Sequence, residues 1–272
     1  MHRQAHILSV NLEDYFQVAP MRQVIPHRYW PRFERRVEKS ALSTLDLLDR
    51  HGAKATFFVV GWLAEQNPDL LAEVARRGHE VASKGYLHRN FSQMSLNELR
   101  DDFRRSRDVI ENATGKKIIG YRIAEGSLPA DDVEPYRMLA QEGVKYDSSL
   151  RPFGARFISR PDLRRTHEIK GEGWSIMEVP LSSDTLLGVP YPVTGGNYMR
   201  QLPRSLHENR VASWHAKNDA PWHFYFHSWE LDPEQPRVSA TTRLSRMRQY
   251  RNLDEMRARI ETWLERYSFR GI

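Results

Sequence analysis

The sequence predicts an α/β protein built on a parallel sheet that closes as a (β/α) barrel. Three observations carry this. Short apolar runs alternate with amphipathic helical runs every 25–35 residues or so, without a sequence repeat. Runs such as A-T-F-F-V-V at residues 55–60 are continuously apolar, as strands buried on both faces are. A length of 272 residues is ordinary for one α/β barrel. The expectation is a single domain over residues 1–272, irregular from about residue 150 onward.

Taken in order, residues 6–12 read as the first buried strand, ending in the acidic turn Glu13-Asp14. Residues 15–29 are irregular and broken by Pro20 and Pro26. Residues 33–52 read as a helix with a stripe of Val37, Leu42, Leu45 and Leu48, stopped by Gly52. The strand at 55–60 follows, then a helix over 68–78 with Leu70, Leu71, Val74 and Ala75 on one face. Residues 80–83 are a short buried strand that delivers Lys84 and His88 into a loop. If that loop turns like a helix, side chains four apart face the same way. Two histidines at this spacing would make half of a metal site. Here one of the two is a lysine.

Ser95 with Glu98 three residues on is a capping-box signature, opening a helix to about Thr114. Residues 118–121 are a strand leading to Arg122, and 133–143 a helix. Residues 152–174 carry many charges and few periodic apolar positions, and read as loop with short strands. A strand at 175–181, a helix at 203–216 and an aromatic strand at 222–227 follow. In that strand alternation puts His223, Tyr225 and His227 on one face, and Phe224 and Phe226 on the other. Residues 253–267 form a closing amphipathic helix.

Composition narrows the function classes. There are no cysteines, which excludes disulfides and thiolate metal sites. The balance of 41 Lys+Arg against 35 Asp+Glu gives a net charge of +6. The arginines are spread over helices rather than gathered with stacking aromatics, so a mildly basic solvated surface is expected and nucleic-acid binding is not. The opening M-H-R-Q-A-H-I-L-S-V-N has no apolar core before a small-residue cleavage site. No run reaches the ~18 apolar residues of a membrane span. The expectation is therefore no signal peptide, no transmembrane segment and a cytoplasmic location.

Reactive groups in α/β barrels sit at the carboxyl ends of strands. The strand-end residues here are Asn11, Glu13 and Asp14, then Lys84 and His88, Arg122, and His227. An acid, two histidines and an arginine at four strand ends suit a hydrolase. Each also has a structural alternative: Asp14 as a cap of the following segment, His88 as a loop histidine, Arg122 as an ion-pair partner, His227 as a core-edge histidine.

Several longer motifs occur in order along nearly the whole chain. They are S-V-N-L-E-D-Y-F-Q-V from Ser9, A-T-F-F-V-V-G-W from Ala55, R-G-H-E-V-A-S from Arg77 and G-Y-R at Gly120. Y-D-S-S-L from Tyr146, F-H-S-W-E-L-D-P-E-Q-P-R from Phe226 and L-S-R-M-R-Q-Y-R-N-L from Leu244 complete the set. In these the chain resembles the polysaccharide deacetylases with a NodB-homology domain. It is most similar to the subgroup encoded beside exosortase and PEP-CTERM exopolysaccharide genes.

The resemblance implies a distorted (β/α) barrel that removes N-acetyl groups from amino sugars in a polymer. It implies an aspartate base, and a second acid and two histidines around a divalent metal, commonly zinc. A late histidine is the general acid. By position, Asp14 is the metal carboxylate, with Glu13 the less favoured choice. His88 is the second metal histidine, His227 the late histidine, and Arg122 the group that orients the base.

Three positions depart from that pattern. The base position holds Asn11, an amide that takes no proton at neutral pH. The first metal histidine is Lys84, and an ammonium offers no lone pair. Arg122 is followed by Ile123-Ala124-Glu125 where the pattern has Ala-Pro. One expectation fits all three: the Lys84 ammonium takes the vacated cation position, held by Asp14 and Glu125. The alternative is a Lys84 that points to solvent.

Two functions follow. The first is a hydrolase of N-acetyl groups in an exopolysaccharide, with Lys84 stabilising the oxyanion and His227 activating water. The second is an impaired homologue that binds an N-acetylated polysaccharide, an oligosaccharide or a partner protein. Tyr86 and Trp229, with Tyr15, Phe16 and Trp62, are the aromatics that could stack on sugar rings.

Overall fold

The computed structural model describes residues 5–22 and 24–272. Met1 to Gln4, the start of the stretch read for a leader, lie outside the described residues. The strands are β1 (His6–Leu12), β2 (Thr56–Val59), β3 (Glu80–Ser83), β4 (Gly120–Tyr121), β5 (Tyr146–Asp147) and β6 (His167–Gly171). They continue with β7 (Trp174–Glu178), β8 (Ser183–Leu186), β9 (Val189–Pro192), β10 (His223–His227) and β11 (Phe269–Arg270). The helices are α1 (Val37–Arg50), α2 (Gly61–Gln66), α3 (Pro68–Arg76), α4 (Leu96–Thr114) and α5 (Glu134–Gln141). The second half adds α6 (Gly196–Gln201), α7 (Arg204–Lys217), α8 (Arg243–Tyr250) and α9 (Met256–Arg266). The chain divides into two compact units, Met1–Ala55 with Thr194–Gly271, and Thr56–Val193 with Ile272.

In the first unit β1 runs parallel to both β10 and β11, with Ile7 opposite His223, Asn11 opposite His227, and His6 opposite Phe269. The aromatic alternation of β10 works as its sequence requires. Phe224 and Phe226 are fully buried, and the Trp222 ring stacks on Phe224 at 5.0 Å. Trp263 of α9 meets Trp222 edge-on at 5.3 Å. Each such ring contributes about 1.5–3 kcal/mol by leaving water. On the other face, Ser9 Oγ lies 2.9 Å from His223 Nε2, so the polar members of this core pair with each other.

Helix α1 begins at Val37, four residues later than periodicity alone places it. Residues His27–Arg32 turn as a 3₁₀-helix that ends at Phe33. The first free N–H groups of α1 then find their acceptor in Asp14, at 2.9 Å from Arg36 N and 3.2 Å from Val37 N.

The second unit holds the order β2-β3-β4-β5-β7-β6, parallel except for β6, which pairs antiparallel with β7. Helices α2 and α3 connect β2 to β3, α4 connects β3 to β4, and α5 connects β4 to β5. These are the βα crossovers that the alternating pattern requires. The capping box opens α4 as expected: Glu98 N donates to Ser95 Oγ, and Ser95 N donates to Glu98 Oε2 at 2.8 Å. Gly115, at φ 65°, ends the helix in the left-handed conformation. Gly120 has a different reason to be glycine. A Cβ there would come within 2.2 Å of the Tyr146 ring on the neighbouring strand. Residues 152–174 contain two 3₁₀ turns and β6, in line with loop and short strands. The β8–β9 hairpin and the short helices α2, α6 and α8 have no counterpart in the sequence pattern, because pieces this short leave little period to detect.

Candidate functional site

The candidate residues fall into two groups, one in each unit. In the first, the parallel register sets the ends of β1 and β10 side by side, bringing Asn11 next to His227. His227 Nδ1 hydrogen-bonds Glu13 Oε1. Glu13 is fully buried, whereas His227 keeps 21% of its side chain exposed. With Nδ1–H donating to a carboxylate, the ring is fixed in one tautomer and orientation, and Nε2 is the nitrogen left for proton transfer.

A second buried glutamate holds the backbone at this point. Glu230 Oε2 accepts from His227 N at 2.9 Å, and Glu230 Oε1 pairs with Arg200 Nε at 2.8 Å. Arg200, itself buried, donates onward to the carbonyls of Arg248, Gln249 and Arg251 at the end of α8. Sequence reasoning passes over Glu230 and Arg200, although Glu230 lies within a recognisable motif. Nothing in residue spacing pairs them across 30 positions.

Asp14 is a cap. Its Oδ1 accepts from Tyr15 N at 2.9 Å, and Oδ2 accepts from Arg36 N and Val37 N. Burial pushes its carboxyl up to about 6, against the pull of those three N–H groups. Of the two acids in the turn, Glu13 is the one that meets the late histidine.

In the second unit, Lys84 and His88 do share one side of a tight turn, with Nζ 3.3 Å from His88 Nε2. Lys84 is 1% exposed, which overturns the alternative that it points to solvent. The turn is held from α4 by Asp102, which accepts from Tyr86 N at 2.7 Å, Leu87 N at 3.2 Å and Arg89 Nη2 at 3.2 Å. Gly85 sits at φ 73°, and a Cβ there would strike Asp102 Oδ2 at 2.4 Å. Asp102 escapes sequence reasoning, because on α4 it reads as one more surface acid. Glu125 pairs its backbone with Asn90 in an isolated bridge.

Arg122 is anchored by the Y-D-S-S motif. Its Nε donates to Ser148 O at 2.9 Å and its Nη2 to Ser148 Oγ at 2.8 Å, while the guanidinium lies 3.9 Å over the Phe58 ring. Ser149 Oγ accepts from Ile123 N at 2.8 Å and bonds Asp147 Oδ1 at 2.7 Å. Beneath it, Asp147 of β5 lies opposite Glu178 of β7. Burial raises both carboxyls, and the neighbouring Asp147 charge raises Glu178 further. Both carboxyls therefore favour the protonated form more than ordinary carboxylates do.

The aromatics need a correction. Tyr86 and Trp229 are each only 5% exposed, and Tyr15 and Phe16 are buried as well. Tyr86 donates to Glu65 Oε2 at 2.6 Å and carries Arg105 over its ring at 3.6 Å. These rings are core and support; open stacking platforms they are not. Trp62 is half-buried.

Residues 32–144 match the family model described as polysaccharide deacetylase, and residues 148–272 match a domain of unknown function, DUF3473. The chain is 31% identical over 71 residues to a peptidoglycan-N-acetylglucosamine deacetylase of Bacillus cereus. That stretch is 26% of this chain and 26% of the relative, so the chain spans about a quarter of the relative's length. Among solved structures it is similar to a CE4 family pseudoenzyme from Bacillus anthracis, with TM-score 0.53 and 16% identity over 100% of this chain and 65% of that one. It is also similar to a family 4 carbohydrate esterase from Streptomyces lividans in complex with acetate, with TM-score 0.51 and 14% identity over 98% and 91%. Identities this low establish the fold, and it is the α/β fold that the strand–helix alternation predicts.

The polysaccharide deacetylases that the chain resembles are generally metal-dependent. The residues here do not fit that group. Among the described residues no set of three or more His, Asp or Glu side chains converges to hold an ion. An ammonium stands where a ligand lone pair is needed, within hydrogen-bond reach of His88 Nε2. The fold and the family match agree in direction: over residues 32–144 the chain is similar to polysaccharide deacetylases.

Proposed function

We propose that this chain is a polysaccharide deacetylase-like protein acting on the N-acetyl groups of amino sugars in an exopolysaccharide, in the cytoplasm. The observation that carries the reading is the Glu13–His227 pair at the adjoining ends of β1 and β10. An imidazole held by a buried carboxylate can take a proton from attacking water and return it to the departing amine. The carboxylate stabilises the imidazolium between those steps. Asn11 beside it can orient water by hydrogen bonding but takes no proton, so His227 alone carries the proton transfer.

A second reading, a glycan-binding homologue without turnover, is favoured by the Lys84–His88 contact, which places an ammonium against a histidine that the resemblance assigns to a metal. The exosortase-associated resemblance supports exopolysaccharide as the polymer in either case.

The test is acetate release from N-acetylglucosamine oligomers, with and without chelator, for the natural chain, His227→Ala and Glu13→Gln. We expect slow release that chelator leaves unchanged. His227→Ala should lower kcat by about 10²–10⁴, and Glu13→Gln should lower kcat with KM nearly constant. Oligomer binding with no acetate above blank would establish the second reading, and chelator-sensitive release would overturn the metal-free route.

A further inference from the structure

We propose that the groove between residues 236–241 and α8 binds the carboxylate of an acidic sugar, so that the polymer engaged by this protein contains uronic acid. This rests on the reading of the ligand as a polysaccharide. The groove has a volume of about 540 Å³, within the range of small-ligand sites. Arg237, Arg246 and Arg251 line it, together with the apolar Val238 and Met247 and the ring of Tyr250.

The charge balance points to the ligand. From Pro236 to Leu253 the sequence holds five arginines and no aspartate or glutamate. Many arginines elsewhere are matched to acids, as Arg36 is with Asp232, Arg104 with Glu142 and Arg259 with Glu255, though not all are. Among the described residues the three groove arginines have no carboxylate partner. Three guanidinium groups around one cavity repel each other and raise its positive potential. An anion relieves this, and a planar carboxylate matches the guanidinium fork.

The groove is also built rather than incidental. Arg246 Nη1 donates to the carbonyls of Ser239 and Thr241, which holds the guanidinium in place and leaves its other N–H groups available. Tyr250 Oη accepts from Val238 N at 2.7 Å, tying the loop to α8, and Arg237 lies 5.3 Å from the Tyr250 ring. Arg200 binds the carbonyls at the end of α8 and pairs with Glu230, which holds His227 N. One rigid chain of bonds thus joins the arginine groove to the proton-transfer histidine. The apolar lining fits the C–H face of a pyranose ring better than it fits a free inorganic anion.

The experiment is calorimetric titration of the full chain with oligogalacturonate, with N-acetylglucosamine oligomers and with inorganic phosphate, at two salt concentrations. We expect oligogalacturonate to bind and to weaken with salt. The double variant Arg237→Gln/Arg251→Gln should lose at least about tenfold in affinity, and Arg237→Lys/Arg251→Lys should lose less. Binding of N-acetylglucosamine oligomers should stay unchanged in both. Oligogalacturonate that binds the Gln variant as tightly as the natural chain, or phosphate that binds as tightly as oligogalacturonate, would overturn the proposal. Loss of N-acetylglucosamine oligomer binding and of acetate release, with oligogalacturonate binding intact, would defeat the deacetylase reading while leaving the acidic-sugar site in place.

Discussion

Asp14 shows how one residue can satisfy two sequence patterns and one structural demand. Its place after β1 suits a metal carboxylate, but its two oxygens are engaged by three backbone N–H groups, two of them at the start of α1. Desolvation outweighs those bonds, so its folded pKa, about 6, lies above the ordinary 3.8. A raised folded pKa means that the folded state binds the proton more tightly than the unfolded chain does. This contribution to stability is full below pH ~4 and is lost as pH rises through about 6. Asp14→Asn should therefore remove that slope, flattening the unfolding free energy between pH ~4 and ~6.5. Asp14→Ala should remove the slope and also cost about 1–2 kcal/mol for the lost cap. Chemical denaturation across this pH range measures both, and an unchanged slope in the asparagine variant would contradict the burial argument.

At the scale of elements, the candidate residues are positioned by neighbours that no motif announces. The Lys84–His88 turn is shaped by Asp102 from α4, and Arg122 is fixed by the serines that follow β5. The β5–β7 pair adds the Asp147–Glu178 acid pair, fully buried, with both carboxyls raised. The pair therefore stabilises the fold at low pH and loses that contribution as pH rises through their folded values. Glu178→Gln keeps a donor facing Asp147 and can never ionise. The variant's unfolding temperature should fall less with rising pH than that of the natural chain. A thermal midpoint that falls with pH equally in both proteins would mean that the Glu178 carboxyl makes no such contribution.

For the molecule as a whole, what the sequence makes legible follows from what repeats. Continuous apolar strands, the stripe of α1 and the Ser95–Glu98 box are periodic or local, so the α/β architecture and most long elements can be read from the residues themselves. The partners of the candidate residues are neither periodic nor local. Glu13 meeting His227 depends on a contact across 214 positions, and Glu230 meeting Arg200 on a buried charge pair. Those are consequences of packing. The metal question sits between the two levels, because Lys84 and Asn11 are plain in the sequence while their consequence depends on where Nζ comes to rest. That consequence has a global readout. A metal bound only by the folded state raises the unfolding midpoint, by an amount equal to about 2.7 kcal/mol at a hundred times Kd. The natural chain, with Lys84 Nζ against His88 Nε2, should show no zinc-dependent change in Tm. Lys84→His restores a histidine pair within one turn, and should gain a zinc-dependent rise in Tm that chelator reverses. An equal rise in the natural chain would mean that His88 has found other ligands and that the lysine does not displace the ion.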